Sequence, residues 1–483
     1  MDESQGRLRV CVVSLGCAKN LVDSESMVAL LEKAGFTLVT DPGRADAVVV
    51  NTCGFIAPAR EESLSVIRDL RRNGPGRVLV AAGCLAQRAS ADLVGEAVDA
   101  VVGTGELERL PEVLERCLRA RAAADGVGAA AATGAAVVAS TSGVAAGGVW
   151  VGRPEVPLGL PRRLSTGATA YLKIAEGCDR RCTFCIIPRL RGRYRSRPVE
   201  DLVKETRDLV ERGACELVLV AEDTSRYGRD IYGRAALPRL LEELAEVEGV
   251  AWIRVLYAYP SGFPLEVARL MSPGGKVMPY LDLPLQHVSD RMLTRMGRPY
   301  RGAQVRRLLD RLRETAPDIV LRSTFLVGFP GETEEDFGQL LRFLEEYRLD
   351  RAGFFPFYPE PEAPAAAFPD QIPGDVKERR LRAAERAQQV VAVRANRRLV
   401  GREVDVLVEA RGKARTLEPG RDGRAGSLPV AVGRWWGQAP EADGQVHVLG
   451  CDTPPGRFVF ARVVKVRGYD LVAVPSRTPT HLA

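Results

Sequence analysis

Three short apolar runs near the start of the chain are each followed by a cysteine, and this repeat constrains the fold most. The runs RVCVVSL, DAVVVN and RVLVAA are rich in β-branched residues, which predicts strands, and a helix-like segment follows each of them. Cys17, Cys53 and Cys84 come after these strands. Because the carboxyl ends of parallel strands lie at one edge of a sheet, the three cysteines can converge there. The sequence therefore predicts a parallel α/β domain over residues 1–119 with a three-cysteine site.

Packing in a strand-to-helix turn explains any one of these cysteines about as well, but the shared position after three strands favours a common site. Packing is the better interpretation for the cysteines that lack this position. These are Cys11, Cys117, Cys215 and Cys451. The opening MDESQGRLRV has neither the basic start nor the apolar run of a secretory leader, so we expect a cytoplasmic protein. Thiols stay reduced in that compartment, which favours metal binding over disulfides.

Strand and helix patterns alternate again over residues 169–395, which predicts an open or partial barrel of six β/α units. The strand-like runs are AYLKIAE, ELVLVAED, AWIRVLYAY, YLDLPL, IVLRSTFLVG and RAGFFPFY. Residues 120–168 are rich in Ala and Gly and predict a linker or insertion. The uncharged stretch 126–152 within them is too weakly apolar to cross a membrane. Short strands with Gly-rich turns over residues 396–475 predict a small β-barrel of the nucleic-acid-binding kind. The net charge of +6 is mild for 483 residues, so any RNA or ribosome contact requires local patches.

A second cysteine group lies in EGCDRRCTFC, directly after the first strand of the barrel. Cys178, Cys182 and Cys185 have the spacing CxxxCxxC, so their sulfur atoms can reach one centre. A closed zinc site takes four ligands, and no fourth Cys or His lies nearby. Three thiolates fit a four-iron, four-sulfur cluster in which one iron stays open.

This motif resembles the radical S-adenosylmethionine (SAM) superfamily, whose core is also a partial six-unit β/α barrel. The resemblance implies that SAM binds the open iron and that an electron from the reduced cluster splits SAM into a 5′-deoxyadenosyl radical. With the N-terminal cysteines and the C-terminal barrel, the chain resembles the methylthiotransferases, whose last domain is called TRAM. That family is a transferase family with two 4Fe-4S clusters and two SAM per turnover, and the second cluster carries the sulfur that is inserted.

Two branches divide this family, and the motifs resemble the branch that adds a methylthio group to the β-carbon of an aspartate in ribosomal protein S-twelve (uS12). SLGCAKNLVDSE, NTCGFI and DLPLQHVSDRML carry this likeness, since the branch that modifies adenosine in tRNA usually reads YGCQMN and Gln-Ser-Gly at two of these places. Ala18 departs from the usual proline beside Cys17. The resemblance implies uS12 or the small ribosomal subunit, an electron donor protein and RNA contact through the TRAM-like domain as partners.

Further candidates lie at predicted strand ends. Glu222, Asp223 and Thr224 follow the second barrel strand, and Gly328 and Glu332 belong to VGFPGE after a later strand. Both groups are candidates for SAM binding, because ligands bind at such strand ends. The glycines of VGFPGE are also typical of a tight turn. In the arginine run that follows Cys185, Arg191 and Arg193 are candidates for an acidic substrate, although such runs are usually solvated. His287 follows a predicted strand at the same edge, and we expect it either to contact the substrate or to pack behind the site.

Two rival functions stay open at this point. One is the tRNA adenosine methylthiotransferase of the same family. The other is a non-enzymatic RNA-binding protein whose cysteines hold structural metal, and it differs in that structural metal sites are closed by protein ligands.

Overall fold

The computed structural model describes residues 8–96, 98–127, 148–163, 167–419 and 425–476. It divides the chain into two compact units. Unit 1 consists of Met1–Ser165, Lys173–Arg197 and Tyr358–Ala366. Unit 2 consists of Thr166–Leu172, Pro198–Phe357 and Ala367–Ala483. The loop that holds the CxxxCxxC motif therefore belongs to the same unit as the N-terminal sheet.

Unit 1 is built on a parallel sheet in the order β2-β1-β3-β4-β5-β6. Its strands are β1 Arg9–Ser14, β2 Thr37–Leu38, β3 Ala47–Thr52, β4 Val78–Gly83, β5 Ala100–Val102 and β6 Gly148–Trp150. Its helices are α1 Ala18–Lys33, α2 Ala57–Arg72, α3 Cys84–Arg88, α4 Ser90–Gly95 and α5 Leu110–Val127. Successive side chains of a strand face opposite sides, so Val10 packs with Met27 of α1 while Cys11 packs with Ile67 of α2. Helices thus cover both faces of the sheet.

The loop of unit 1 lies between two short paired strands. These elements are β8 Ala175–Glu176, α6 Ile187–Arg191 and β9 Arg195–Ser196. β8 follows β7 Thr169–Lys173, the first strand of the second sheet.

Unit 2 carries the predicted second alternation of strands and helices, with β7 at one edge of a sheet in the order β14-β13-β12-β11-β10-β7. Pairs along β10 to β14 are parallel. The strands are β10 Glu216–Val220, β11 Trp252–Val255, β12 Val277–Asp282, β13 Val320–Val327 and β14 Arg351–Pro356. The helices are α7 Val199–Glu211, α8 Arg229–Tyr232, α9 Leu237–Ala245, α10 Glu266–Leu270, α11 Asp290–Arg295, α12 Gly302–Thr315, α13 Glu334–Tyr347 and α14 Gly374–Arg397. All six predicted strand runs of this region lie in the one sheet.

A closed barrel in the order β15-β16-β17-β19-β18 follows in unit 2. Its strands are β15 Glu403–Pro419, β16 Ala425–Trp435, β17 Val446–Leu449, β18 Phe458–Arg467 and β19 Asp470–Pro475. The predicted fold class, two parallel α/β parts and a small β-barrel, is confirmed. Among the described residues, no helix combines the length and the apolar character that crossing a membrane requires.

Part of the predicted linker differs from the expectation. Residues 128–147 and 164–166 lie outside the described residues, but α5 continues to Val127 and β6 pairs with β5. The Arg109 guanidinium lies 3.8 Å from the ring centre of Trp150, and Val156 is buried in the core. The described residues 148–163 therefore join the sheet of unit 1 through the pairing of β6 with β5 and the packing of Trp150 and Val156.

Candidate functional site

Cys17, Cys53 and Cys84 lie at the carboxyl ends of β1, β3 and β4, which are neighbours in the sheet. Cys17 caps the start of α1, and Cys84 is the first residue of α3. We call these three residues the strand-end site. Two glycines allow its turns to approach closely. A Cβ atom on Gly16, where φ is +89°, would lie 2.7 Å from the Cβ of Cys53, and one on Gly54 would lie 2.7 Å from the Cα of Leu85.

The thiols of the strand-end site differ in exposure. Cys17 is exposed and Cys53 half-buried, whereas Cys84 is 5% exposed. Burial raises the pKa of Cys53 and raises that of Cys84 to about 12, while the positive charge of Arg191 opposes both shifts. The Cys84 thiol donates to the Oδ1 atom of Asn20 at 3.7 Å. Negative charge on Cys17 or Cys53 further raises the pKa of Cys84, so a cationic partner is needed to ionise the Cys84 thiol.

Cys178, Cys182 and Cys185 form the second group, which we call the loop site. The ribbon of β8 and β9 closes the loop, with Ala175 opposite Ser196 and Glu176 opposite Arg195. Backbone N–H groups point at the sulfur atoms: that of Arg180 donates to Cys178 at 3.4 Å, and that of Ile187 donates to Cys185 at 3.5 Å. Hydrogen bonds of this kind favour the thiolate and are the means by which proteins tune iron–sulfur centres.

The helix after the loop site packs on the strand-end site. Ile186 and Leu190 form a hydrophobic cluster with Cys84, and Ala363 and Phe55 complete it. The hydroxyl of Thr104 also donates to the carbonyl oxygen of Leu190 at 2.8 Å. Both cysteine groups therefore belong to one packed region of unit 1.

Arg191 and Arg193, the two candidates for an acidic substrate, lie in different surroundings. Arg193 is exposed. Arg191 is 1% exposed, and its guanidinium donates to Asn20 and Asp23 of α1 and to Glu176 of β8. The acidic partners of Arg191 are thus residues of its own unit.

Sequence reasoning missed Asn20 and Asp23, although α1 offered a signal. Its buried side includes Asn20, Asp23 and Ser24, where an ordinary amphipathic helix would have apolar residues. A polar stripe on the buried side of a helix next to a cysteine indicates a polar site.

The SAM candidates lie in unit 2, after β10 and β13. The Thr224 hydroxyl is buried and donates to the carbonyl oxygen of Leu256 at 2.8 Å, and Asp223 accepts from Ser225 at 2.5 Å. Glu222, beside them, is half-buried. The Thr224 hydroxyl thus binds a neighbouring backbone carbonyl, and the Asp223 carboxylate binds a neighbouring side chain.

The structure brings Gly328, Glu332 and His287 together. Glu332 accepts from the backbone N–H of Gly328 at 2.5 Å and from Arg380 at 2.8 Å, and its other oxygen lies 3.2 Å from Nε2 of His287. His287 accepts from the N–H groups of Val288 and Ser289 through Nδ1. Both side chains are fully buried, so they fix the turn after β13.

The cysteines supply the donor set that iron–sulfur clusters take, which is thiolate sulfur. Among the described residues, no three His, Cys, Asp or Glu side chains are close enough together to hold a single metal ion. The glycine-lined turns at the strand-end site and the N–H donors at the loop site fit a larger group with several sulfur contacts.

Comparison with known proteins assigns the parts of the chain. Residues 172–344 match the radical SAM superfamily, residues 9–103 match the uncharacterized protein family UPF0004, and residues 400–475 match the TRAM domain. A "ribosomal protein uS12 methylthiotransferase RimO" of Desulforudis audaxviator is 45% identical over 96% of this chain and 96% of the relative. A protein of the same name from Moorella thermoacetica is 43% identical over 95% of this chain and 97% of the relative. The chain belongs to the RimO family.

Members of this family are radical SAM proteins, so an iron–sulfur cluster and SAM are the cofactors of the chain. A solved structure confirms the fold. The radical SAM methyltransferase TsrM from Kitasatospora setae, with cobalamin and a 4Fe-4S cluster bound, is 17% identical with a TM-score of 0.51. The match covers 87% of this chain and 82% of TsrM.

Proposed function

We propose that this chain is a radical SAM methylthiotransferase that adds a methylthio group to the β-carbon of an aspartate in ribosomal protein uS12. The observation that carries the proposal is the placement of six cysteines in unit 1, three at neighbouring strand ends and three in one loop. Near full-length relatives are named for this activity. A closed structural metal site would need a fourth protein ligand at each place.

Each cysteine site is proposed to hold one 4Fe-4S cluster. With three cysteine ligands each, the loop site would leave one iron for SAM, and the strand-end site would leave one iron for the sulfur that is transferred. Bound there, the two clusters and SAM supply a radical strong enough to take hydrogen from an unactivated carbon and a sulfur to replace it. The chain itself must deprotonate six thiols, and the N–H donors at Cys178 and Cys185 and the guanidinium of Arg191 favour that.

The proposed SAM contacts come from two turns of unit 2. Glu222, Asp223 and Thr224 follow β10, and Gly328 and Glu332 follow β13, so both groups lie at carboxyl ends of parallel strands, where ligands bind in such sheets. Thr224 and Glu332 are tied to backbone groups, so we assign them to shaping these turns rather than to direct recognition.

The substrate assignment favours Arg193 over the other two candidates. Arg193 is exposed and can meet a carboxylate, whereas Arg191 and His287 are buried and hydrogen-bonded within their own units. An electron donor protein and an RNA contact through the C-terminal barrel complete the proposed set of partners.

The test incubates the reconstituted full chain anaerobically with reductant, SAM labelled in its methyl group, and either uS12 or tRNA. We expect label in uS12 and a matching mass increase on one aspartate-containing peptide. Label in tRNA alone would reassign the substrate, and absence of SAM cleavage would favour a structural role for the cysteines. Replacing Cys182 by Ala should abolish SAM cleavage, while Cys117→Ala, at a buried cysteine of α5, should keep it.

A further inference from the structure

A buried polar network lies between the two cysteine sites of unit 1. It consists of Asn20, Asp23, Lys173, Glu176 and Arg191, and none of these residues is more than 7% exposed. Lys173 pairs with Asp23 and with Glu176, and Arg191 pairs with the same two carboxylates. Two cations thus balance two anions, which is the condition under which buried charges persist.

The Arg191 guanidinium connects the chain segments that carry both sites. One terminal nitrogen donates to Asn20 at 2.6 Å and to Asp23 at 2.8 Å, and the other donates to Glu176 at 3.2 Å. Asn20 and Asp23 belong to α1, which starts beside Cys17, while Glu176 lies two residues before Cys178. These three bonds leave from two separate nitrogens of one planar guanidinium, and the single ammonium nitrogen of lysine cannot take both positions.

Asn20 extends this connection to the rest of the strand-end site. Its side-chain N–H donates to the carbonyl oxygen of Leu15 at 3.0 Å and to that of Thr52 at 3.1 Å, the residue before Cys53. Its oxygen accepts from Arg191 and also from the Cys84 thiol. One amide therefore touches the chain beside all three cysteines of the site, and Arg191 holds that amide.

Arg191 also places a positive charge near the strand-end site. The Oδ1 atom of Asn20 accepts from Arg191 at 2.6 Å and from the Cys84 thiol at 3.7 Å, so a single oxygen atom separates this charge from that sulfur atom. In a buried region, where the effective dielectric is low, such a charge acts strongly on any negative group beside it. The reduced form of an iron–sulfur cluster is one unit more negative than the oxidised form, and nearby charge and hydrogen bonds set its potential.

We propose that Arg191 is a positioning residue for both cysteine sites and that its charge raises the reduction potential of the cluster held by Cys17, Cys53 and Cys84. The inference rests on the proposed function, because it requires a cluster at the strand-end site. It gives Arg191 a role toward the cofactors in place of the substrate role that the sequence suggested.

The test is a redox titration, followed by electron paramagnetic resonance, of the full chain with Cys178, Cys182 and Cys185 replaced by Ala, so that one cluster is titrated. Arg191→Met should lower its midpoint potential by an amount that corresponds to about a tenfold change in the reduction equilibrium, or roughly 59 mV for one electron. Arg191→Lys, which keeps the charge, should shift it less. Arg189→Met, at an exposed arginine of the same helix α6, should leave it unchanged.

A second variant separates the effect of the charge from that of folding. Arg191→Met leaves one buried carboxylate unpaired, so R191M combined with E176Q restores the balance with one cation against one anion. This double variant should fold, as judged by circular dichroism, and should show a lower potential than E176Q alone, which also lacks the negative charge of Glu176. Loss of the cluster from both of these variants, with normal circular dichroism and normal iron in R189M, would support the positioning role.

The outcomes for the inference and for the proposed function differ. If the starting protein binds no iron at the strand-end site, the proposed function fails. If it binds iron, and R191M has the potential of the starting protein while R191M with E176Q has the potential of E176Q alone, only the role of Arg191 is overturned.

Discussion

The two cysteine sites of unit 1 are built in opposite ways. The strand-end site collects Cys17, Cys53 and Cys84, which are 36 and 31 residues apart in sequence, at the edge of one sheet. The loop site takes its three cysteines from the eight residues Cys178 to Cys185. The ends of this loop are joined by the pairing of β8 and β9, two strands of two residues each. The first site therefore depends on the folding of the whole sheet, and the second depends on local closure of one loop.

We expect the largest loss of stability from a change in α3, the helix that begins at Cys84 of the strand-end site. Arg88 at its end is 3% exposed and pairs with Glu360 at 2.7 Å and Glu362 at 2.5 Å, and it donates to the carbonyl oxygen of Gly54 at 2.7 Å. We expect Arg88→Met to destabilise the protein by roughly 3–5 kcal/mol, because a carboxylate is left buried without its partner. Urea unfolding measures the change.

The control for this prediction is Arg72, whose ion pair with Asp69 is exposed. Arg72→Met should change the stability by less than about 0.5 kcal/mol. Equal changes in the free energy of unfolding for the two substitutions would show that the ion pairs of Arg88 do not stabilise α3.

The second prediction concerns a substitution that should disrupt the loop site and leave the sheet of unit 1 intact. Gly177 precedes Cys178 with φ at +73°, and a Cβ atom there would overlap the carbonyl oxygen of Arg193. Gly177→Ala should cost about 2–4 kcal/mol, since backbone strain and a steric clash add, and iron should be lost from the loop site first.

Gly35 is the matched control, because its φ is +90° and a Cβ atom added there would have no neighbour within 4 Å. Gly35→Ala should cost about 1–2 kcal/mol from backbone strain alone and keep full iron. An iron content in Gly177→Ala equal to that in Gly35→Ala would contradict the account of loop closure.

The third prediction sharpens the comparison within the strand-end site, in protein freed of iron. Alkylation requires the thiolate, and burial raises the pKa of Cys84 to about 12, so few of its thiols are ionised at pH 8. We expect Cys84 to react at least about 100-fold more slowly than the exposed Cys17, and its rate to rise as the pH approaches 12. Peptide mass spectrometry after timed labelling measures both rates, and equal rates in the folded chain would contradict the burial of Cys84. In urea the two rates should become similar.

Much of the fold could be predicted because its signals are local. Runs such as VVVN and LVLV are β-branched and apolar, and the return of a cysteine after each strand placed Cys17, Cys53 and Cys84 at neighbouring strand ends. The sequence did not predict β16, because Pro429 and Gly433 interrupt its apolar pattern. The structure explains Gly433: a Cβ atom there would overlap the carbonyl oxygen of Leu407 on the neighbouring strand.

The roles of charged residues could not be predicted in the same way. In the sequence, Arg191 is one member of an arginine run and Arg88 is an isolated charge, and both look solvated. Their partners are distant in sequence: Asp23 lies 168 residues from Arg191, and Glu360 lies 272 residues from Arg88. Only the folded chain shows that these charges are buried and paired.

The central claim is that two separate cysteine sites each hold a four-iron cluster, and iron and sulfide analysis tests it most directly. The reconstituted chain should contain about eight irons and eight sulfides, and Cys84→Ala and Cys185→Ala should each contain about four, while Cys117→Ala keeps about eight. Zinc in place of iron, or an unchanged iron content in either of the first two variants, would contradict the claim.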